Sequence, residues 1–409
     1  MNCRFCNMKL SHVFADLGKS PLANSYLEKD QIEKKEIFLP LTVYVCSKCL
    51  LVQLDKFEDP EVIFKEYAYM SSYSQSWLKH VKDFSELVIK KFELNKKSRI
   101  IEIASNDGYL LKNFQKKNIP ILGIEPAKNV AKIARKRKIP TITKFFGYKT
   151  AKEVIKKHGK SDLIIAFNVL PHVPNLKDFL HGMKILLEKN GVIVIQFSAY
   201  LTHLIQKTGF DAIYHEHFSY FSLISLSKIF QHFDLTIFDI EEFDVHGGSL
   251  RLFLKHNKNK NLKISHKIKE KIEMEKKNEL NKIQTYENFQ EQVVQTKIDI
   301  WKFFSQAKND NKSIVGYGAP AKATTMLNYC GIKNDFLEYT VDVNPNKQNH
   351  FIPGTRIPIF SPKKIFQTRP NYVVILAWNL KDEIIEQMKE IRKWNGKFVI
   401  FYPKVKILR

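Results

Sequence analysis

No apolar run in the 409 residues reaches the roughly 20 needed to span a bilayer. Cys3 arrives too early for a signal-peptide core. The chain is therefore expected to be soluble and cytoplasmic, with no membrane partner. Arginine is scarce: only nine of the 66 basic residues are Arg and the other 57 are Lys. The formal charge of +24 invites a nucleic-acid partner, because clustered cations release phosphate counterions. Lysine, however, reads bases and phosphates less specifically than the guanidinium fork, so the excess reads as general lysine bias and argues against nucleic acid. A complete G-x-G-x-x-G and an H-E-x-x-H are also missing, which weakens a dinucleotide site and a metalloprotease-type zinc site. With 44% hydrophobic and 12% aromatic side chains, the chain is neither disordered nor fibrous and can fill two or three packed domains.

Cysteine is sparse too, five residues in all, but four of them form Cys3-x2-Cys6 and Cys46-x2-Cys49. Paired CxxC units in a non-secreted chain indicate a metal sooner than disulfides. Four thiolates give Zn2+ a closed tetrahedral shell with no place for a substrate water, so the ion is expected to be structural. The long insert between the knuckles carries Asp16-Leu-Gly18, Pro21-Leu-Ala-Asn24 and a strand-like Leu41–Val45, which predicts a small zinc-ribbon-like domain.

The stretch from Glu66 to Gln75 holds three tyrosines and three serines. Each buried hydroxyl needs a partner, so these side chains either line a pocket or pack at a helix edge. Short apolar strands then alternate with amphipathic segments. Strands are expected at Arg99–Ala104, Ile119–Glu125, Thr141–Phe146, Ser161–Asn168 and Gly191–Phe197, and helices at Lys128–Lys138 and Leu176–Leu187. This order predicts an α/β, parallel, doubly wound sheet. Residues 265–307 read as one or two long helices. A second series, Ile314–Gly318, Leu337–Val343, Tyr372–Trp378 and Phe398–Tyr402, predicts a smaller open-sheet domain.

Ligands of open α/β sheets bind beyond the carboxyl ends of the strands. The first strand ends Glu102-Ile-Ala104-Ser105-Asn106-Asp-Gly108 and the second ends at Glu125-Pro126, which places an acid where nucleoside hydroxyls are held. A dinucleotide or S-adenosylmethionine fits this pattern. The missing glycines favour the sulfonium cofactor, which has no pyrophosphate for the backbone to approach. Phe145, Phe146 and Gly147 follow the third strand and could flank the adenine, and Asn168 ends the fourth. His172, just beyond, faces the reactive end.

Tyr214-His-Glu216-His217 is the densest polar cluster. An imidazole titrates near neutrality and a carboxylate beside it raises its basicity, so the cluster suits proton transfer. His-x-His offers only two ligands to a second metal, which makes that explanation weaker. Downstream, His246-Gly247-Gly248-Ser249-Leu-Arg251 and Gly316-Tyr317-Gly318-Ala319-Pro-Ala-Lys322 are glycine loops with a nearby cation. Each alone is an ordinary turn; together they imply a diphosphate-bearing substrate.

These motifs, in this order and with Tyr69–Tyr73 and Trp378-Asn379-Leu380 added, make the chain resemble the bacterial sugar C-methyltransferases. That family methylates C-3 of nucleotide-linked 4-keto-deoxysugars. The resemblance covers essentially the whole chain. It implies a zinc-binding domain over 1–60, an S-adenosylmethionine-dependent Rossmann-like methyltransferase domain over 61–264, and a helical linker with a smaller Rossmann-like nucleotide-sugar-binding domain over 265–409. It further implies His217 as general base, with Tyr214, Glu216, His172 and Tyr69 (or its neighbour Tyr67) lining the sugar site. One departure is Gln196, where the family commonly has an acid. The competing readings are a zinc-ribbon nucleic-acid methyltransferase or binder, motivated by the charge, and a nicotinamide oxidoreductase. The last domain's missing third glycine and lack of a downstream ribose acid count against the oxidoreductase.

Overall fold

The computed structural model describes residues 1–55, 72, 75–198, 200–243 and 248–408. Tyr67, Tyr69, His246 and Gly247 lie outside the described residues. Among the described residues, three sheets organise the fold. In the first, β1 (His12–Ser20), β2 (Leu39–Val45) and β3 (Val52–Leu54) form an antiparallel meander. Leu41, Val43 and Val45 are buried while Thr42 and Tyr44 are only half-buried, the period-2 pattern of a strand with one face on a core.

The central sheet holds β4 (Ile100–Ile103), β5 (Ile121–Ile124), β6 (Thr141–Ile142), β7 (Ser161–Phe167) and β8 (Leu187–Ser198). All five are mutually parallel, as the sequence predicts. Helices on both faces bury them, which is why they read as continuous apolar runs. A two-residue strand, β9 (Ser219–Tyr220), leaves this region to pair with β3 and complete the ribbon sheet. β10 (Leu235–Phe243) and β11 (Ser249–His256) then close the central sheet, in the order β10-β11-β8-β7-β4-β5-β6. This corrects the all-parallel expectation. Too few residues separate β10 from β11 for a crossover, so the pair is a hairpin and β11 runs antiparallel to both neighbours.

The predicted helical region is three helices, His266–Lys277, Ile283–Glu287 and Phe289–Asn309. The first break falls where Glu279 takes a left-handed φ of 58°. Glu275 in the first helix is fully buried. It accepts from the Leu223 and Ile224 amides at 2.8 Å each and from the Tyr200 and Thr202 hydroxyls. The linker is thus tied to the N-terminus of helix Leu223–His232.

The last sheet is β12 (Ile314–Tyr317), β13 (Thr340–Val341), β14 (Ile359–Phe360), β15 (Tyr372–Ile375), β16 (Lys397–Ile400) and β17 (Lys406–Leu408). Its order is β14-β13-β12-β15-β16-β17, parallel except for β17. One apolar core joins this domain to the ribbon: Phe14 of β1 stacks on Phe289 at 4.4 Å, within a cluster that also contains Leu327 and Ile352. Among the described residues no helix is long and apolar enough to cross a membrane.

Candidate active site

The carboxyl ends of β4, β5 and β7 open into a cleft of about 650 Å3. It runs from Ala104 and Asn106 to His217, and Lys322, Lys347 and Asn379 of the last domain form part of its wall. The β4 loop explains how a chain without the full glycine motif builds this end. Ala104, Asn106 and Gly108 all adopt left-handed φ values, 54°, 50° and 78°, so every second residue takes the conformation that glycine takes most easily. Only Gly108 is sterically obliged to be glycine, since a Cβ there would meet Ile139 Cγ1 at 2.8 Å.

Glu125, just after β5, is buried. Its Oε2 accepts from the Asn106 amide at 2.9 Å and its Oε1 from the Ala127 amide at 2.8 Å. Burial nevertheless pushes its carboxyl up to about 7. Glu102 is fully enclosed on β4, and neither of its carboxylate oxygens has a hydrogen-bond partner among the described residues. Burial first, then the charges of Glu125 and Asp107, push it well above the ordinary carboxylate range. The Asn106 and Ala127 amides both donate to Glu125 rather than into the cleft, and a cation beside Glu125 would favour its charged form, which suits a cationic nucleoside better than a pyrophosphate.

Pro126, Phe145, Phe146 and Asn168 line the cleft with Glu125, whereas Glu102, expected at the cofactor, lies behind the wall. Phe145 is 42% exposed, so it is not a core residue. Ser105 is turned the other way, with its Oγ where a Cβ on Gly123 would sit. Gly147 gives way to the carboxylate of Asp178, which a Cβ there would meet at 2.0 Å.

At the far end, His217 Nδ1 lies 2.8 Å from the Ala212 carbonyl and Nε2 lies 2.9 Å from the Tyr214 hydroxyl. A carbonyl only accepts, so Nδ1 carries the proton and Nε2 presents its lone pair to Tyr214. Burial, then the nearby His172 and Lys322, hold His217 well below the usual histidine value, which favours the neutral ring. His172 reaches the cleft from the 3-10 turn Leu170–His172, and burial takes it down to about 4. Glu216 is buried, pushed up to about 7, and its Oε1 accepts from Asn24 Nδ2 at 2.6 Å. Asn24 belongs to the Pro21–Asn24 motif of the ribbon, so the zinc domain contributes a wall of the cleft. His215 points away and meets the Pro40 carbonyl at 3.1 Å, so it cannot join His217 around a second metal.

The glycine loops divide. Lys322 lies 4.8 Å above the Trp378 ring, whose Nε1 donates to the buried Asp211 at 2.7 Å. Lys347 donates to the Ala319 carbonyl at 2.8 Å. Gly318 takes φ 96°, while Tyr317 faces Gln387 at 3.1 Å, outside the cleft. Asp342, overlooked in the sequence, stands beyond β13 where a ribose acid would stand. This corrects the expectation that no such acid exists, but its oxygens already accept from the Ala319 and Asn344 amides. Gly248 packs on His203, and Ser249 begins β11 opposite Ser198. Arg251 does not reach the cleft. It is buried against the Phe84 and Phe243 rings, paired with Glu241 at 2.7 Å and donating through Nε to Gln196 at 3.0 Å. The unusual Gln196 therefore belongs to this separate cluster. Sequence reasoning missed Asn24, Lys347, Trp77 and Asp178 as cleft residues; only the Pro21–Asn24 motif offered a signal.

In the ribbon, the ligand sulfurs of Cys3, Cys6, Cys46 and Cys49 all lie within 4.8 Å of one another and no disulfide joins them. Such a set fits tetrahedral zinc. Gln53 Nε2 donates to Cys3 Sγ at 3.3 Å, and a donor aimed at the sulfur favours its thiolate form.

Three family descriptions match consecutive parts of the chain. They are a zinc binding domain over 3–64, a methyltransferase domain over 74–240 and a C-methyltransferase C-terminal domain over 244–403. The C-methyltransferase NovU of Streptomyces niveus is 30% identical over 406 residues, 99% of this chain and 96% of that protein. Among solved structures, the magnesium protoporphyrin IX methyltransferase of Synechocystis PCC 6803 with bound S-adenosylmethionine is 12% identical. It covers 43% of this chain and 78% of its own, with a TM-score of 0.33. An S-adenosylmethionine-dependent methyltransferase of Clostridium acetobutylicum ATCC 824 is 13% identical, covering 44% and 92%, with a TM-score of 0.34.

Proposed function

Because the chain belongs to the S-adenosylmethionine-dependent C-methyltransferase family, we propose that its acceptor is a nucleotide-linked keto-deoxysugar, methylated on the carbon beside the ketone. The observation that carries this reading is the cleft itself. One continuous space joins the cofactor loop, a buried imidazole that favours its neutral form and two lysines of the last domain. Lys322 and Lys347 suit a diphosphate, and His217 suits a weakly acidic C–H.

The ketone acidifies the adjacent proton. His217 takes it on Nε2 once Tyr214 has swung its hydroxyl toward the sugar, and the resulting imidazolium is steadied by the Ala212 carbonyl on Nδ1. Tyr214 and His172 hold the enolate oxygen, and Glu216, braced by Asn24, orients a sugar hydroxyl. Bound S-adenosylmethionine supplies the electrophilic methyl group. Asn106, Glu125, Pro126, Phe146 and Asn168 hold that cofactor so that the reacting carbon need only be aligned, and alignment accounts for much of the acceleration. The zinc set stays out of the chemistry. Incubation with labelled S-adenosylmethionine and a panel of nucleotide-linked keto-sugars tests the reading. The expected result is label on a sugar carbon; label on oxygen, or in RNA but no sugar, overturns it.

A further inference from the structure

Arg4 lies inside the first knuckle, between Cys3 and Cys6, yet its side chain leaves the metal set. Nη1 donates to the Pro174 carbonyl at 3.3 Å, Nη2 donates to the Leu54 carbonyl, and the guanidinium sits 5.6 Å from the Phe218 ring centroid. Pro174 is two residues beyond His172, and Phe218 follows His217 directly. The three segments are also stitched to one another. Leu54 donates to the Phe218 carbonyl at 3.1 Å, Phe218 donates to the Pro171 carbonyl at 2.8 Å, and β9 pairs Ser219 with Gln53. Gln53 in turn accepts from the Arg4 amide at 2.9 Å while it donates to Cys3. A single guanidinium thus bridges the knuckle, the segment after the His172 turn and β3, and through Leu54 and the Phe218 ring it reaches the chain leaving His217.

We propose that Arg4 is a positioning residue for methyl transfer: its fork ties the 171–174 segment to Leu54 of β3, which is itself bonded to Phe218, so that the zinc knuckle sets the geometry of the His172–His217 pair. The two rings meet edge to face at 4.7 Å, and a displacement near 1 Å at a reacting group costs roughly 100-fold in rate. Lysine cannot substitute, because a point charge does not span two carbonyls on different segments. The assignment rests on the reading of His217 as base.

Arg4→Lys and Arg4→Ala test it, with zinc content, S-adenosylmethionine affinity, histidine ring 15N shifts and keto-sugar kinetics measured on each. The expected result is one zinc per chain, unchanged cofactor affinity, displaced ring shifts for His172 and His217, and kcat down by about 10- to 100-fold with little change in KM. Both variants should behave alike; if Arg4→Ala does not fold, Arg4→Lys decides. Unmoved ring shifts, or full kcat in Arg4→Lys, overturn the proposal. Moved shifts in a protein whose wild type methylates no keto-sugar leave Arg4 assigned and overturn the substrate reading instead.

Discussion

The imidazoles of His172 and His217 stand edge to face, with centroids 4.7 Å apart and ring planes at 68°. Two rings this close in a buried cleft cannot both be cations, and burial holds both below the ordinary histidine range. A base must be neutral to act, so the acid limb due to His217 falls well below pH 6.5. Glu216, pushed up to about 7, changes charge in the neutral range instead. The pH dependence of kcat/KM should therefore show a change near pH 7, due to Glu216 together with Glu125, which is also pushed up to about 7, and this change should disappear only when both are replaced in the Glu125→Gln/Glu216→Gln variant. A limb that persists near 6.5 in that variant would mean His217 titrates as a solvent-exposed ring.

Backbone geometry at the β4 loop sets a second expectation. Gly108→Ala places a Cβ 2.8 Å from Ile139 Cγ1 on a left-handed residue. It should lose about 1–3 kcal/mol of stability and weaken S-adenosylmethionine binding. Ala104→Gly relieves a strained φ of 54° and should be neutral or stabilising by up to about 1 kcal/mol. Denaturant melts and calorimetric titration with the cofactor measure both.

Zinc removal makes a third. With its four sulfurs within 4.8 Å, the ribbon should carry one zinc per chain. Cys46→Ser should lower that content toward zero and destabilise the sheet β1-β2-β3-β9. Because β9 begins two residues after His217, loss of methyl transfer should track zinc content in a chelator titration followed by metal analysis. Full activity in zinc-free protein would separate the ribbon from the site.

Much of this was legible in the sequence. Buried parallel strands leave continuous apolar runs, so β4, β5, β7 and β8 could be read directly, and the two CxxC pairs announced the metal set. The β10–β11 hairpin escaped because β11 begins at Ser249, inside the motif read as an anion loop. Arg251 was read as part of that loop, but three residues of extended chain carry it about 10 Å past Gly248, into the packing of Phe84 and Phe243. Asn24 and Lys347 meet the cleft only through tertiary packing between domains, which no local pattern encodes. The left-handed Ala104 and Asn106 hid a familiar loop conformation behind non-glycine letters.

The most direct test follows solvent deuterium into the sugar carbon beside the ketone, by NMR, with S-adenosylhomocysteine present so that no methyl transfer competes. The wild-type protein should exchange that position, and His217→Asn, still binding cofactor, should exchange it at least about 100-fold more slowly. Exchange at the wild-type rate in His217→Asn would contradict the account.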